Sequence, residues 1–142
     1  GGLYFSGNNL GYEHILKTIQ LAMRNGGGGD CPENNIEAVI KGLKKNSKYE
    51  VDEVIMVADN WATPRDVELI NEVGKPIRII LCGTRGKVNV EYLKLAHKSG
   101  GSIHTIEEDL ENICKLKEGE KLSFMGIEYI IEKGEIRPLI LD

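Results

Sequence analysis

Apolar positions recur at helical spacing from Tyr12 onward. Tyr12, Ile15, Leu16, Ile19, Ala22 and Met23 fall on one side of a helix. Asn25 and the glycines at 26–29 stop it. Before it, residues 3–6 form a short apolar and aromatic run with strand character. Asp30-Cys31-Pro32-Glu33 predicts a second helix start. Pro32 suits the first helical position, where its missing N–H would have no partner anyway, and Asp30 and Glu33 have capping-box spacing. Ile36, Val39, Ile40 and Leu43 give this helix a buried stripe. Lys41, Lys44 and Lys45 complement its negative end. Val54 to Ala58 is apolar without alternation, which predicts a strand covered on both faces, as in a parallel sheet beneath helices.

The same alternation of element types continues. Thr63-Pro64-Arg65-Asp66 opens a helix with Val67, Ile70 and Val73 inward, ended by Gly74. Ile77 to Cys82 is a strand closed by Gly83. Asn89 begins a helix with Val90, Leu93 and Ala96 inward, stopped by Gly100-Gly101. Ser102 to His104 is a short strand. Thr105 and Glu108 repeat the capping-box spacing, ahead of a helix carrying Ile106, Leu110 and Ile113. Residues 121–140 change to β character, with Ile127 to Ile131 and Ile136 to Leu141 flanking the turn signal Lys133-Gly134. The expectation is an α/β fold over residues 1–113, with a parallel sheet flanked by helices in three layers, and a short antiparallel hairpin over 114–142. Only three buried parallel strands stand out, over 54–58, 77–82 and 101–104. With about five helices such a sheet is narrow, so the fold reads as N-terminally incomplete. The opening Gly-Gly-Leu-Tyr, with Met23 as the first methionine, fits a portion of a longer product.

Composition narrows the functions. Eighteen basic against 22 acidic residues give a net charge of -4, with no long basic run. That excludes phosphate-driven nucleic-acid binding as a leading function. No apolar run approaches the ~20 residues of a membrane span. Three cysteines, at 31, 82 and 114, form no disulfide framework and read as reduced thiols of a cytoplasmic protein.

Candidate chemistry gathers where strands end. In open α/β sheets ligands collect at the carboxyl ends of the strands. Asp59 follows Val-Ile-Met-Val-Ala directly, and Asp30 and Glu33 sit in a glycine-rich loop before a helix. Together they form an oxygen-only set suited to Mg²⁺, with Ca²⁺ or Mn²⁺ as alternatives. The same residues also suit plain structural roles: Asp30 and Glu33 as helix caps, Asp59 in an Asx turn. The glycines at 26–29 follow a helix and lead to no Gly-Lys-Ser/Thr, so they make no phosphate loop. Cys82 has no acid–base partner placed near it by the sequence, and His14, His97 and His104 have no zinc spacing.

The segment from Gly26 through Asp30-Cys-Pro-Glu33 to Ala38, followed by Val54-Ile-Met-Val-Ala-Asp59, resembles a von Willebrand factor A domain. The Asp-x-Pro-Glu loop resembles the integrin β-subunit version. The likeness continues through Ile77-Arg-Ile-Ile-Leu-Cys-Gly and Tyr92-Leu-Lys-Leu-Ala-His-Lys-Ser-Gly-Gly-Ser-Ile-His, and spans roughly 12–113. It implies a Rossmann-like fold with a metal-ion-dependent adhesion site above the sheet. Asp30 and Glu33 map to that family's second metal loop and Asp59 to its last aspartate. The family's Asp-x-Ser-x-Ser motif has no counterpart in the 142 residues.

The resemblance implies a protein–protein interaction module, not an enzyme. A partner's acidic group would complete the coordination of Mg²⁺, and Trp61, Thr63 and Arg85 on neighbouring loops would form the contact rim. A metal-free scaffold, with Asp30, Glu33 and Asp59 serving as caps, is the alternative. An α/β hydrolase ranks third, since it needs a nucleophile and base in hydrogen-bond reach. An open edge of the parallel sheet would pair with the missing half of the fold or with another chain.

Overall fold

The computed structural model describes residues 11–25 and 32–139. The chain divides into two units, Gly1–Cys31 and Pro32–Asp142. The described part of the first unit is helix α1 (Tyr12–Arg24), over the span that the apolar spacing predicts. Asn25 closes it, its amide N and its side-chain Nδ2 both donating to the Leu21 carbonyl. The strand expected at 3–6 lies outside the described residues.

The second unit is mixed α/β. In chain order it has α2 (Asn35–Lys45), β1 (Val54–Asp59), a 3₁₀ turn (Val67–Glu72), β2 (Ile77–Cys82), α3 (Val90–Ser99), β3 (Ser102–His104) and β4 (Asp109–Leu110). A second 3₁₀ turn (Ile113–Lys115) leads to β5 (Lys121–Phe124), β6 (Ile127–Glu132) and β7 (Glu135–Pro138). Strands β1 to β4 form one sheet in that order; β1, β2 and β3 run parallel and β4 is antiparallel. Strands β5 to β7 form an antiparallel meander. The meander is one strand wider than the expected hairpin. Its two turns, Met125-Gly126 and Lys133-Gly134, each place both residues at positive φ, the conformation that tight hairpins with right-handed strand twist require.

One core serves the whole second unit. Met56, Ile77, Ile79, Leu81 and Ile103 project from one sheet face and are buried together with Ile36 and Ile40 of α2 and with Tyr92, Leu93, Leu95 and Ala96 of α3. Phe124, Tyr129, Ile131 and Ile136 of the meander belong to the same cluster. Lys98 of α3 and Glu135 of β7 form an ion pair, and the charge-assisted hydrogen bond from Lys98 holds the Glu135 carboxyl below its usual range.

The opposite sheet face corrects the expectation of cover on both sides. Ile55 and Val57 are 60% and 69% exposed, and Ile80 is 39% exposed. Burial therefore alternates along β1 and β2. Within the described residues of this unit the helices lie on one face, giving two layers where three were expected. The uninterrupted apolar run hides this, because side chains i and i+1 of a strand face opposite ways whatever their polarity.

Two expected helices are shorter or absent, for identifiable reasons. At 63–66 the backbone is held extended: Glu33 N donates to Thr63 O and Arg65 N donates to Glu33 O, both at 2.9 Å. Only the 3₁₀ turn fits before Gly74. After Thr105 the chain turns back instead of coiling. Thr105 Oγ1 does accept the Glu107 and Glu108 amides, but Thr105 N donates to Glu108 O and closes a turn onto β3. Strand pairing of Ile103 with Leu110 and His104 with Asp109 then overrides local helix preference. Ile106 is left 94% exposed.

Candidate functional site at the carboxyl edge of the parallel strands

β1 and β2 end together, with Asp59 in register with Cys82. Asn60 N donates to Cys82 O, and the chain then bends sharply. Asp59 Oδ1 accepts the Trp61 amide at 3.1 Å, an Asx turn, while Asp59 O accepts the Ala62 amide. Gly83 faces this bend at φ +73°, where a Cβ would stand 3.4 Å from Asp59 Oδ1 and 3.7 Å from the Trp61 ring. Its lack of a side chain leaves that carboxylate edge uncovered.

Two asparagines fix the bend. Asn60, 7% exposed, donates from Nδ2 to Lys87 O and accepts the Asn89 amide on Oδ1 at 2.7 Å. Asn89 caps α3 by accepting the Glu91 amide, and its Nδ2 donates to Thr63 Oγ1 at 2.8 Å. The loops after β1 and β2 are thereby locked to the start of α3. The sequence marks Asn89 as a cap, whereas nothing local marks Asn60, whose partners lie 27 and 29 residues away.

Tyr92 binds the loops from below. Its hydroxyl donates to Ala62 O at 2.5 Å, lies 3.3 Å from Asp59 O, and accepts from Asn35 Nδ2. Burial pushes its pKa up to about 12; the Asn35 hydrogen bond opposes this, and the Asp59 and Glu33 carboxylates add to it. Both carboxylates thus act on the same phenol. Glu33 reaches this edge through its backbone bridge to Pro64, and it is not the cap of α2. That role falls to Asp66, whose Oδ2 accepts the Glu37 amide at 2.7 Å.

Of the expected metal set, Glu33 and Asp59 approach the same edge, and Asp30 lies outside the described residues. Among the described residues no group of three or more His, Cys, Asp or Glu side chains is placed to hold a metal ion. The expected rim residues do converge. Trp61, Thr63 and Arg85 line one cavity of about 750 Å³, together with Val88, Ile127 and Tyr129. The meander supplies part of its wall, a contribution that the sequence did not signal. Arg85 occupies a left-handed turn position at φ +43°, beside Gly86 at +76°. Thr84 anchors that turn through Thr84 O to the Lys87 amide and Thr84 Oγ1 to Glu107. Trp61 is 67% exposed at the mouth. Such a site can pair an apolar group with an anionic one: aromatic and aliphatic walls, with Arg85 and Lys87 as cations.

Comparison of the chain with protein-family models, with curated proteins and with solved structures returns no match. Among the described residues no helix is long and apolar enough to cross a membrane.

Proposed function

We propose that the second unit is a recognition module of von Willebrand factor A type, binding a protein partner at the carboxyl edge of β1 and β2. The observation that carries this reading is the convergence of Trp61 and Thr63, from the loop after β1, with Arg85, from the loop after β2, around one cavity, with Asp59 at the foot of the first loop beside Gly83. The partner segment would present an acidic side chain next to an apolar one. The apolar group fills the cavity, where an exposed tryptophan is an effective anchor. Asp59 and Glu33 offer hard oxygens at the same edge, so they fit a share of a Mg²⁺ shell, which favours carboxylates and retained water. When bound, the ion would supply positive charge for the partner's carboxylate. On the same reading the outer edge of β1 is the place for strand pairing with further parts of such a fold or with another chain.

A metal-free scaffold is the second reading, favoured by the Asx turn of Asp59. There, Arg85 and Lys87 alone would take the partner's acid. Selection of a displayed peptide library on the full chain in Mg²⁺ tests both. The first reading expects selected peptides to share an Asp or Glu beside an apolar residue. It also expects EDTA and Asp59→Ala each to weaken them at least tenfold. Binding that resists EDTA and Asp59→Ala but is lost in Arg85→Ala would replace it with the scaffold. Peptides without a shared acid would overturn both.

A further inference from the structure

Away from that edge, the open sheet face carries a second constellation. Ser102 and His104 alternate with buried Ile103 on β3, so both project to the sheet face opposite the core that α2 and α3 cover. Ser102 Oγ lies 2.8 Å from His104 Nε2, and His104 Nδ1 lies 2.8 Å from Asp109 Oδ1. Asp109 is the register partner of His104 on β4. A carboxylate only accepts, so the proton of a neutral imidazole belongs on Nδ1. Nε2 then presents its lone pair to the Ser102 hydroxyl. This is the nucleophile, base and orienting acid arrangement, which is recognised by geometry and not by chain order. Strand pairing of residues 109–110, in place of the expected helix, is what brings Asp109 to the histidine.

We propose that Ser102, His104 and Asp109 form an acyl-transfer site that hydrolyses short, neutral carboxylic esters. A cavity of about 260 Å³ covers Ser102 and His104 and has room for a small acyl group. Arg78, the register partner of Ser102 on β2, lines it. Glu53 Oε1 accepts from Arg78 Nε and Nη2, both at 3.1 Å, which fixes the guanidinium. Arg78 is the charge placed to stabilise an oxyanion beside Ser102. Glu53 and Glu111 also line the cavity and disfavour an anionic substrate. In the first step Ser102 Oγ bonds to the ester carbon, and its proton passes to His104 Nε2. The carbon–alkoxide bond breaks, and the alcohol leaves with that proton. Water then gives a proton to Nε2 and its hydroxide to the acyl carbon; the bond from that carbon to Ser102 Oγ breaks, Oγ takes the proton back from Nε2, and the free acid leaves.

The test is turnover of 4-nitrophenyl acetate and labelling by a fluorophosphonate, with the full chain and with peptide mapping of the adduct. The expected result is an adduct on Ser102 and ester turnover, both abolished in Ser102→Ala. His104→Gln should slow labelling at least a hundredfold and Asp109→Asn at least tenfold. Asp109 is largely exposed and Ser102→Ala removes one hydroxyl, so the variants keep the fold, with circular dichroism as the control. An unlabelled Ser102, labelling unchanged in His104→Gln, or ester turnover unchanged in Ser102→Ala would each overturn the proposal.

Discussion

Gly101 shows how much one residue type can decide. A Cβ there would stand 1.9 Å from the Ile77 carbonyl oxygen and 2.8 Å from its nitrogen, on a central strand that cannot yield. Gly101→Ala should therefore destabilise the fold by about 3 kcal/mol or more, the upper range of overpacking, read as a lowered urea midpoint with an unchanged slope. An unchanged midpoint would mean that β2 and the start of β3 do not approach this closely. In the sequence Gly101 reads as a helix stop and a strand start, with no sign of this close approach, because the strand it touches is 24 residues earlier. Tyr92 teaches the same lesson. The helical spacing gives no hint that its hydroxyl ties the loop after β1 to the start of α2, since Asn35 and Ala62 are 57 and 30 residues away. Because its pKa is raised to about 12, the fold favours the neutral phenol. That stabilisation is full below the ordinary tyrosine value near 10 and is lost as pH rises through about 12. An alkaline absorbance titration should show Tyr92 ionising well after an exposed tyrosine, with the late step reduced in Tyr92→Phe.

At the scale of elements, local signals were legible and remote ones were not. α1, α2, β1, β2, α3 and β3 follow from apolar spacing and from the breakers that bound them. The Lys133-Gly134 turn follows from its residue types. The start of α2 does not, because its cap comes from Asp66, 29 residues on. Asp66→Ala should cost about 1–2 kcal/mol, the usual worth of a cap, with amide exchange faster in the first turn of α2 than in α3. Equal protection in both helices would assign the cap to another group. The stretch 106–113 was misread for the converse reason. Thr105 makes the side-chain bonds of a helix start, and the antiparallel pairing of β4 with β3 then takes the chain elsewhere. The candidate site was legible as residue types at strand ends: Asp59, Trp61, Thr63 and Arg85. Its support by Asn60 and by the meander was not, because both depend on contacts that only the folded chain creates.

For the molecule as a whole, the consequential feature is that the meander shares the core of the α/β sheet. Tyr129 and Ile131 are buried in the same cluster as Leu95 and Ile103. Tyr129 also lines the cavity beside Trp61. Amides of β2 and β6 should therefore exchange through openings of the same free energy, as one cooperative unit does. A lower value in β6 would show that the meander opens alone and that the cavity wall is removable. Within the described residues of the second unit the face of Ile55, Val57 and Ile80 is exposed, which sets this sheet apart from one buried on both sides.

The proposed recognition site is open to a direct measurement, because Trp61 is the single tryptophan and its amide bonds the Asp59 carboxylate. Fluorescence titration with Mn²⁺, a paramagnetic quencher, should give saturable quenching that excess Mg²⁺ reverses and that Asp59→Ala abolishes. Quenching that rises linearly with Mn²⁺ and is the same in Asp59→Ala would contradict a metal-dependent site at this edge.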